Sequence, residues 1–186
     1  MSANTKNTWI TTTSEVKFET PWIKVTKHDV INPAGKPALY GTVHFKNLAI
    51  GILPLDKDLN TWLVGQWRYP LNAYSWEIVE GGGDLNIDPI ESAKRELKEE
   101  TGLTATKYTL LSNMHTSNSA TDEYCHIYLA QQLTEGEAEP EESEDLQIKK
   151  VPFAQAYKMV VDGEITDSLS IVAILKTKIL IDEGLI

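Results

Sequence analysis

The segment that most constrains this chain is residues 95–103, which read Arg-Glu-Leu-Lys-Glu-Glu-Thr-Gly-Leu. On a helix, the carboxylates of Glu96, Glu99 and Glu100 would point into one quadrant. Like charges at this spacing repel one another, and a bound divalent cation would remove that cost. Oxygen ligands without nearby histidine or cysteine favour Mg²⁺, with Mn²⁺ as a substitute, over zinc. The segment therefore predicts a metal-binding helix, and the alternative is an ordinary solvated helix face.

The start and the buried side of this helix can also be read from the sequence. Residues 88–91, Asp-Pro-Ile-Glu, predict a helix N-terminus with Asp88 as the N-cap and Glu91 reaching back as in a capping box. Gly102 ends the helix. Three apolar residues recur at helical spacing and predict a buried stripe, namely Ile90, Ala93 and Leu97. The acidic side of the helix therefore lies next to its core-facing side.

A wider pattern surrounds the helix. Gly81 lies fourteen residues before Arg95, and the run 81–103 resembles the Nudix box, Gly-x5-Glu-x7-Arg-Glu-U-x-Glu-Glu-x-Gly-U, in which U is aliphatic. The resemblance implies that Glu96, Glu99 and Glu100 are metal ligands. It also implies that Glu99 and Arg95 belong to the catalytic machinery.

One position departs from the box pattern. The first glutamate of the pattern should stand at position 87, where this chain has Ile87. In the family that glutamate supports the box by pairing with the arginine, here Arg95. Its replacement is therefore expected to loosen the loop or to pass the partner role to Asp88.

Similarity beyond the box points to one branch of the family, the ADP-ribose and nucleoside-diphosphate-sugar pyrophosphatases. It rests on residues 64–70 (Val-Gly-Gln-Trp-Arg-Tyr-Pro), residues 76–81 (Trp-Glu-Ile-Val-Glu-Gly) and the tail 156–171. The branch usually has Trp-Glu-x-Pro-Ala-Gly before the box, and Val79 and Glu80 replace Pro-Ala here. The residue before the box glycine often ligates metal through its carbonyl. The resemblance therefore implies that Glu80 is a metal ligand through its backbone.

Members of this branch also carry an acidic loop late in the sheet, which supplies a general base and a further metal ligand. Matching residues 144–148 to that region implies Glu142 as the catalytic base and Glu144 as the additional metal ligand. Because seven acidic residues lie between Glu135 and Asp145, a solvated charged loop is the alternative interpretation.

Four residues are assigned to substrate binding, namely Arg68, Trp22, Glu77 and Glu123. Arg68 would hold a phosphate as a bidentate donor, or it would pair with a carboxylate on the sheet. Trp22 matches the position where the family stacks an aromatic ring on the base, and the alternatives are the core or a dimer interface. Glu123 fits the acid that closes a motif in which ADP-ribose enzymes commonly have Ser-Pro-Gly. This chain has Thr-Ser-Asn-Ser-Ala-Thr-Asp-Glu at 116–123, so the choice of substrate stays open.

The expected fold class is α/β, a Nudix α/β/α sandwich with a mixed sheet and an N-terminal strand extension. Residues 1–45 form the extension, which the resemblance assigns to dimerisation, and residues 46–186 form the Nudix hydrolase domain. Strands are predicted near 16–18, 22–25, 39–45, 48–54, 62–69, 76–79, 107–114, 124–130 and 146–151. Glycines 81–83 are expected to form a loop, and two helices are expected near 153–162 and 168–183.

The composition limits which binding partners and which cellular location are expected for this chain. The formal net charge of −10 argues against a nucleic-acid backbone or an anionic membrane surface as a partner. The single cysteine, Cys125, cannot form an intrachain disulfide, and residues 1–17 contain no apolar run like that of a signal peptide. A cytoplasmic protein is therefore expected.

The expected function is Mg²⁺-dependent hydrolysis of the diphosphate bond of a nucleoside diphosphate sugar, with ADP-ribose giving AMP and ribose 5-phosphate as the first candidate. One alternative is GDP-mannose or another nucleotide sugar, because the branch shares its metal site and varies its base pocket. The other alternative is a Nudix sensor that binds a nucleotide sugar without cleaving it. The resemblance also implies a homodimer in which the N-terminal strands complete the partner's site.

Overall fold

The computed structural model describes residues 6–138 and 145–186. The strands in this part of the chain are β1 (Ile10–Glu19), β2 (Ile23–Ile31), β3 (Pro37–Phe45), β4 (Leu48–Pro54), β5 (Asn60–Arg68), β6 (Ala73–Glu77), β7 (Val79–Gly83), β8 (Thr104–His115), β9 (Tyr124–Thr134) and β10 (Gln147–Pro152). The α-helices are α1 (Pro89–Thr101), α2 (Phe153–Val161) and α3 (Ser168–Asp182), and a short 3-10 turn spans Tyr69–Leu71.

The described chain divides into two compact units. The first holds the described part of Met1–Lys46 together with Ser117–Glu123. It contains the antiparallel sheet β1-β2-β3, to which Thr121 adds a bridge at Val43. The turn between β2 and β3 is closed by the side chain of Asn32, whose Oδ1 accepts from two backbone N–H groups. The sequence did not indicate that residues 117–123 belong to this unit.

The second unit comprises Asn47–Thr116 and Tyr124–Ile186. It contains the mixed sheet β7-β4-β9-β8, in which β4 and β9 are parallel, and the antiparallel sheet β10-β5-β6. One buried core includes residues of α1, and a second core includes residues of α2 and α3. This arrangement confirms the predicted α/β class with a mixed sheet between helices.

Strand β4 explains why the two cores lie on opposite sides of one sheet. Its sequence, Leu-Ala-Ile-Gly-Ile-Leu-Pro, is apolar throughout, as expected for a strand covered on both faces. Ile50 and Ile52 belong to the α1 core, whereas Leu53 belongs to the core of α2 and α3. Alternate residues of a strand point to opposite faces, so β4 links both cores.

The expectation that glycines 81–83 form a loop is wrong. These residues lie in β7 and pair with β4, where Gly81 is opposite Ile50 and Gly83 is opposite Leu48. A side-chain carbon on Gly83 would lie 3.1 Å from Ile50, so the glycines allow close packing within the sheet. The turn follows instead, at residues 84–88, before α1. None of the helices in residues 6–138 and 145–186 is long and apolar enough to cross a membrane.

Candidate active site

The central element of the site is α1, and local chemistry fixes both of its ends. Oδ1 of Asp88 accepts from the backbone N–H of Ile90 at 3.2 Å, which confirms the predicted N-cap. The helix ends at Gly102, which adopts φ 71° and donates its N–H to the carbonyl of Lys98 at 2.8 Å. The carboxylate of Glu91 pairs with Lys94 at 2.7 Å, so the reciprocal half of the predicted capping box is replaced by an ion pair along the helix.

Two of the three box carboxylates are buried. Glu96 is 8% exposed and Glu100 is 3% exposed, whereas Glu99 is half-buried. Burying carboxylates is costly unless cations or hydrogen-bond donors compensate them. All three belong to one helix whose Ala93 and Leu97 are fully buried in the core, so the helix cannot turn these carboxylates away without losing that packing.

Gly81 fits against the carboxylate of Glu96. A side-chain carbon built on Gly81 would lie 2.0 Å from Cδ of Glu96 and within 2.5 Å of both carboxylate oxygens. The Glu96 carboxylate therefore occupies the space that any other residue at position 81 would fill. Pairing between Gly81 and Ile50 holds β7 in the sheet, so the box glycine and the box helix are fitted to one another.

Arg95 links the carboxylates of α1 to β7. Its guanidinium donates to Glu96 and to Glu99, each at 2.6 Å, and to the carbonyl of Gly82 at 2.9 Å. Partial burial opposes the charge of Arg95, but the nearby Glu96 and Glu99 raise its pKa above the ordinary value. Within the described residues, no group of three or more acidic, histidine or cysteine side chains is gathered closely enough to hold a metal ion.

Position 87, where the box pattern has a glutamate, is an isoleucine that cannot pair with Arg95. The side chain of Ile87 is 50% exposed. Asp88 is engaged in capping α1, and the contacts of Arg95 are made with Glu96, Glu99 and the backbone of β7. The support that the resemblance assigns to a glutamate at position 87 is therefore absent here, and the partners of Arg95 lie within the helix and in the strand.

A second polar cluster lies at the other side of β7. Arg68 donates through Nε to both carboxylate oxygens of Glu77 at 3.0 Å and through Nη2 to one of them. Nη2 also lies 3.8 Å from Oε2 of Glu80, whose other oxygen accepts from the hydroxyl of Ser170 at 3.1 Å. Arg68 therefore pairs with a carboxylate on the sheet, which was the alternative to phosphate binding. Its side chain is still 35% exposed.

The side chain of Glu80 points toward α3, whereas Gly81 next to it faces α1, as alternation along a strand requires. Burial raises the pKa of Glu80 well above the ordinary value, and a hydrogen bond with Asp167 and the charges of Asp167 and Glu77 raise it further, against the opposing effect of Arg68. The sequence assigned Glu80 a role only through its backbone. Asp167 caps α3, because its Oδ2 accepts from the backbone N–H of Ser170 at 2.7 Å. The spacing Asp167-x-x-Ser170 was the sequence signal from which these two partners of Glu80 could have been predicted.

The Glu80 carboxyl predicts a pH-dependent stability. Because its folded pKa lies above the ordinary value of 4.5, the stabilising contribution is complete below that value and is lost as pH rises through the folded pKa. Glu80→Gln is expected to reduce the fall in the free energy of unfolding as the pH rises above 4.5. Urea unfolding across that range measures it, with the exposed Glu91→Gln as the control. Parallel curves for wild type and Glu80→Gln would contradict the assignment.

The remaining assigned residues lie elsewhere in the chain. Trp22, which is 66% exposed, and the half-buried Glu123 belong to the first compact unit. The carbonyl of Trp22 accepts from the N–H of Lys46 at 2.9 Å. Glu142 and Glu144 lie outside the described residues, so their predicted roles as base and metal ligand have no structural account.

Comparisons with known proteins agree with the box. The family model described as NUDIX domain matches residues 45–168, and the model described as nucleoside diphosphate sugar hydrolase N-terminal domain matches residues 9–43. The chain is 33% identical to an ADP-ribose pyrophosphatase of Bacillus subtilis strain 168 over 148 residues. These aligned residues cover 78% of this chain and 80% of that protein.

Two further similarities extend this picture. An ADP-ribose pyrophosphatase of Mycobacterium tuberculosis is 34% identical over 131 residues, which cover 68% of this chain and 63% of that protein. A crystal structure titled as an ADP compounds hydrolase has a TM-score of 0.85 at 22% identity and covers 97% of this chain and 98% of that one, which confirms the fold. The capped box helix, the Gly81–Glu96 fit and these matches together establish that the chain belongs to the Nudix family of pyrophosphohydrolases.

Proposed function

We propose that this chain hydrolyses the diphosphate bond of a nucleoside diphosphate sugar, with ADP-ribose as the first candidate substrate. The observation that carries the proposal is the pair of buried carboxylates on one helix, Glu96 and Glu100, with Glu96 fitted against the box glycine. The choice of substrate is supported by similarity to proteins named ADP-ribose pyrophosphatase and to an ADP-sugar pyrophosphatase of Mus musculus.

The chemistry of the box donors suits a hard divalent cation, because all are oxygens and two of the carboxylates are buried. In the described residues these carboxylates are not gathered closely enough to hold an ion, so they would have to draw together on binding it. We propose that Glu96, Glu99 and Glu100, with the Glu80 carbonyl and Glu144, would hold Mg²⁺. When bound, such an ion neutralises diphosphate charge and lowers the pKa of a bound water. Arg95, which donates to Glu96 and Glu99, would contribute to catalysis by orienting these two carboxylates.

The chain's own groups would carry the reaction as follows. Glu142 would take a proton from the attacking water, whose oxygen forms a bond to one phosphorus as the bridging P–O bond breaks. With ADP-ribose the products are AMP and ribose 5-phosphate. Arg68, oriented by Glu77, would bind phosphate oxygens. The substrate-binding roles of Trp22, which would stack on the base, and of Glu123 stay predictions. Such chemistry needs positioning and charge stabilisation more than covalent catalysis.

A hydrolysis screen over nucleotide sugars with Mg²⁺ tests the function. ADP-ribose is expected to give the highest kcat/KM and to release AMP. Preferred cleavage of GDP-mannose or another nucleotide sugar would reassign the substrate within the same chemistry. Tight binding of a nucleotide sugar without turnover at any Mg²⁺ or Mn²⁺ concentration would instead indicate a sensor and overturn the enzymatic proposal.

The roles of Glu142 and Glu144 are separable, because a proton acceptor must reach the water and a ligand must reach the metal. Glu142→Gln is expected to reduce kcat with little change in KM or in the Mg²⁺ requirement. Glu144→Gln is expected to raise the Mg²⁺ concentration for half-maximal rate. Rates measured against Mg²⁺ for both variants decide this. If Glu142→Gln turns over normally while Glu123→Gln or Glu141→Gln does not, the base must be reassigned.

We also propose that two copies of this chain form a homodimer through the first compact unit. All ten residues of β1 are exposed, and the unit exposes large apolar side chains, namely Trp9, Ile10, Val16, Phe18, Trp22 and Leu39. An exposed apolar surface of this kind favours association. Sedimentation is expected to give a dimer for wild type and for Lys17→Gln, and a shift toward monomer for Phe18→Glu. A wild-type monomer at micromolar concentration would contradict the proposal.

A further inference from the structure

The end of the box helix meets the start of the acidic segment at two glycines. A side-chain carbon on Gly102 would lie 2.4 Å from the carbonyl oxygen of Gly136 and 2.8 Å from the backbone nitrogen of Ala138. A side-chain carbon on Gly136 would lie 2.9 Å from the carbonyl oxygen of Gly102. Because side-chain carbons do not approach backbone atoms so closely, the two segments can touch in this way only while both positions are glycine.

The sheet brings the two segments together. Strand β8 starts at Thr104, directly after the helix end, and Thr104 pairs with Thr134, the last residue of β9. The chain that leaves β9 therefore emerges beside the C-terminal end of α1, where residues 136–138 contact Gly102. Glu135, one residue earlier, lies 3.7 Å from Lys150 of β10.

The two glycines are required for different reasons. Gly102 has φ 71°, a left-handed conformation that favours glycine whatever its neighbours are. Gly136 does not adopt a left-handed conformation, so its own backbone would accept an alanine. The constraint on position 136 is therefore the contact with α1 alone, which makes this position a selective probe of the contact.

We propose that Gly136 is a positioning residue that seats the start of the acidic segment on the end of the box helix. The inference rests on the proposed function, since the segment that continues from Ala138 carries Glu142 and Glu144, and the helix carries Glu99 and Glu100. An alanine at position 136 would push residues 136–138 away from the end of the helix that carries Glu99 and Glu100. A misplacement of about 1 Å can cost about 100-fold in rate, so a purely steric change at Gly136 is sufficient to affect catalysis.

The first test needs no substrate. Gly136→Ala is compared with Glu137→Gln, which changes the neighbouring exposed side chain and keeps the backbone contact. Mn²⁺ affinity of each purified variant is measured by electron paramagnetic resonance, and hydrogen exchange is measured for peptides covering the end of α1 and residues 134–138. Gly136→Ala is expected to weaken Mn²⁺ binding by about 10-fold and to speed exchange in both peptides, whereas Glu137→Gln matches wild type. Unchanged affinity and exchange in Gly136→Ala would overturn the proposal.

The second test uses turnover. Gly136→Ala is expected to lower kcat by about 10- to 100-fold with KM within about twofold of wild type. A normal kcat, or an equal loss in Glu137→Gln, would overturn the positioning role. If wild type cleaves no nucleotide sugar, the proposed function fails while the Mn²⁺ and exchange results still decide the inference. Should Gly136→Ala not fold, Gly102→Asn probes the same contact from the helix side, because asparagine tolerates the left-handed conformation.

Discussion

Glu100→Gln is expected to lower kcat for nucleotide-sugar hydrolysis by at least about 100-fold while the protein keeps its fold. The substitution preserves the shape of a side chain that is 3% exposed and removes one charge from the proposed metal-binding set. A 100-fold loss corresponds to about 2.7 kcal/mol of transition-state stabilisation, which a preorganised electrostatic contact can supply. Steady-state kinetics at several Mg²⁺ concentrations measure the loss, and thermal unfolding monitors the fold.

Glu91→Gln is the matched control for this experiment. Glu91 lies on the same helix, but its side chain is 56% exposed and pairs with Lys94 at 2.7 Å. Exposed pairs of this kind contribute about 0–1 kcal/mol, so near-normal turnover and stability are expected. If Glu100→Gln also turned over near-normally at saturating Mg²⁺, the buried Glu100 carboxylate would have no part in catalysis.

The elements that the sequence predicted well depend on local signals. In the structure α1 begins after Asp88 and ends at Gly102, as the cap chemistry of these residues requires. The alternating or continuously apolar runs predicted most strands within a few residues. Burial of Ala93 and Leu97 followed from their spacing. Helix caps and apolar periodicity act within a few residues of the chain, so they can be read without knowing the fold.

The features that the sequence did not predict depend on residues far apart in the chain. The glycines 81–83 were expected in a loop, because glycine is common in turns, and their place in β7 follows from pairing with β4. The side-chain environment of Glu80 depends on Ser170, which is ninety residues away. The contact between Gly102 and Gly136 likewise requires the β8–β9 ladder. Tertiary partners of this kind leave no periodic signal in the sequence.

Gly81 and Gly82 are adjacent in β7, so a single added methyl group at either position tests the fit between the strand and the box helix. Gly81→Ala would place a carbon 2.0 Å from Cδ of Glu96, so the carboxylate must move. We expect kcat to fall by at least about 10-fold and the Mg²⁺ requirement to rise, because displaced catalytic groups lose much of their effect even over about 1 Å. Neither glycine adopts a left-handed conformation, so alanine brings no backbone strain at these positions.

Gly82→Ala is the control, because its added carbon would meet only Nδ2 of Asn47, at an ordinary contact distance of 3.8 Å. Both substitutions change glycine to alanine in the same strand, so any general effect on strand stability is shared. Gly82 accepts from Arg95 through its backbone carbonyl, which alanine retains. A loss of activity confined to Gly81→Ala would therefore arise from the displaced Glu96 carboxylate. Equal activity in the two variants would mean that Glu96 can move without cost, and its role as a fixed metal ligand would have to be abandoned.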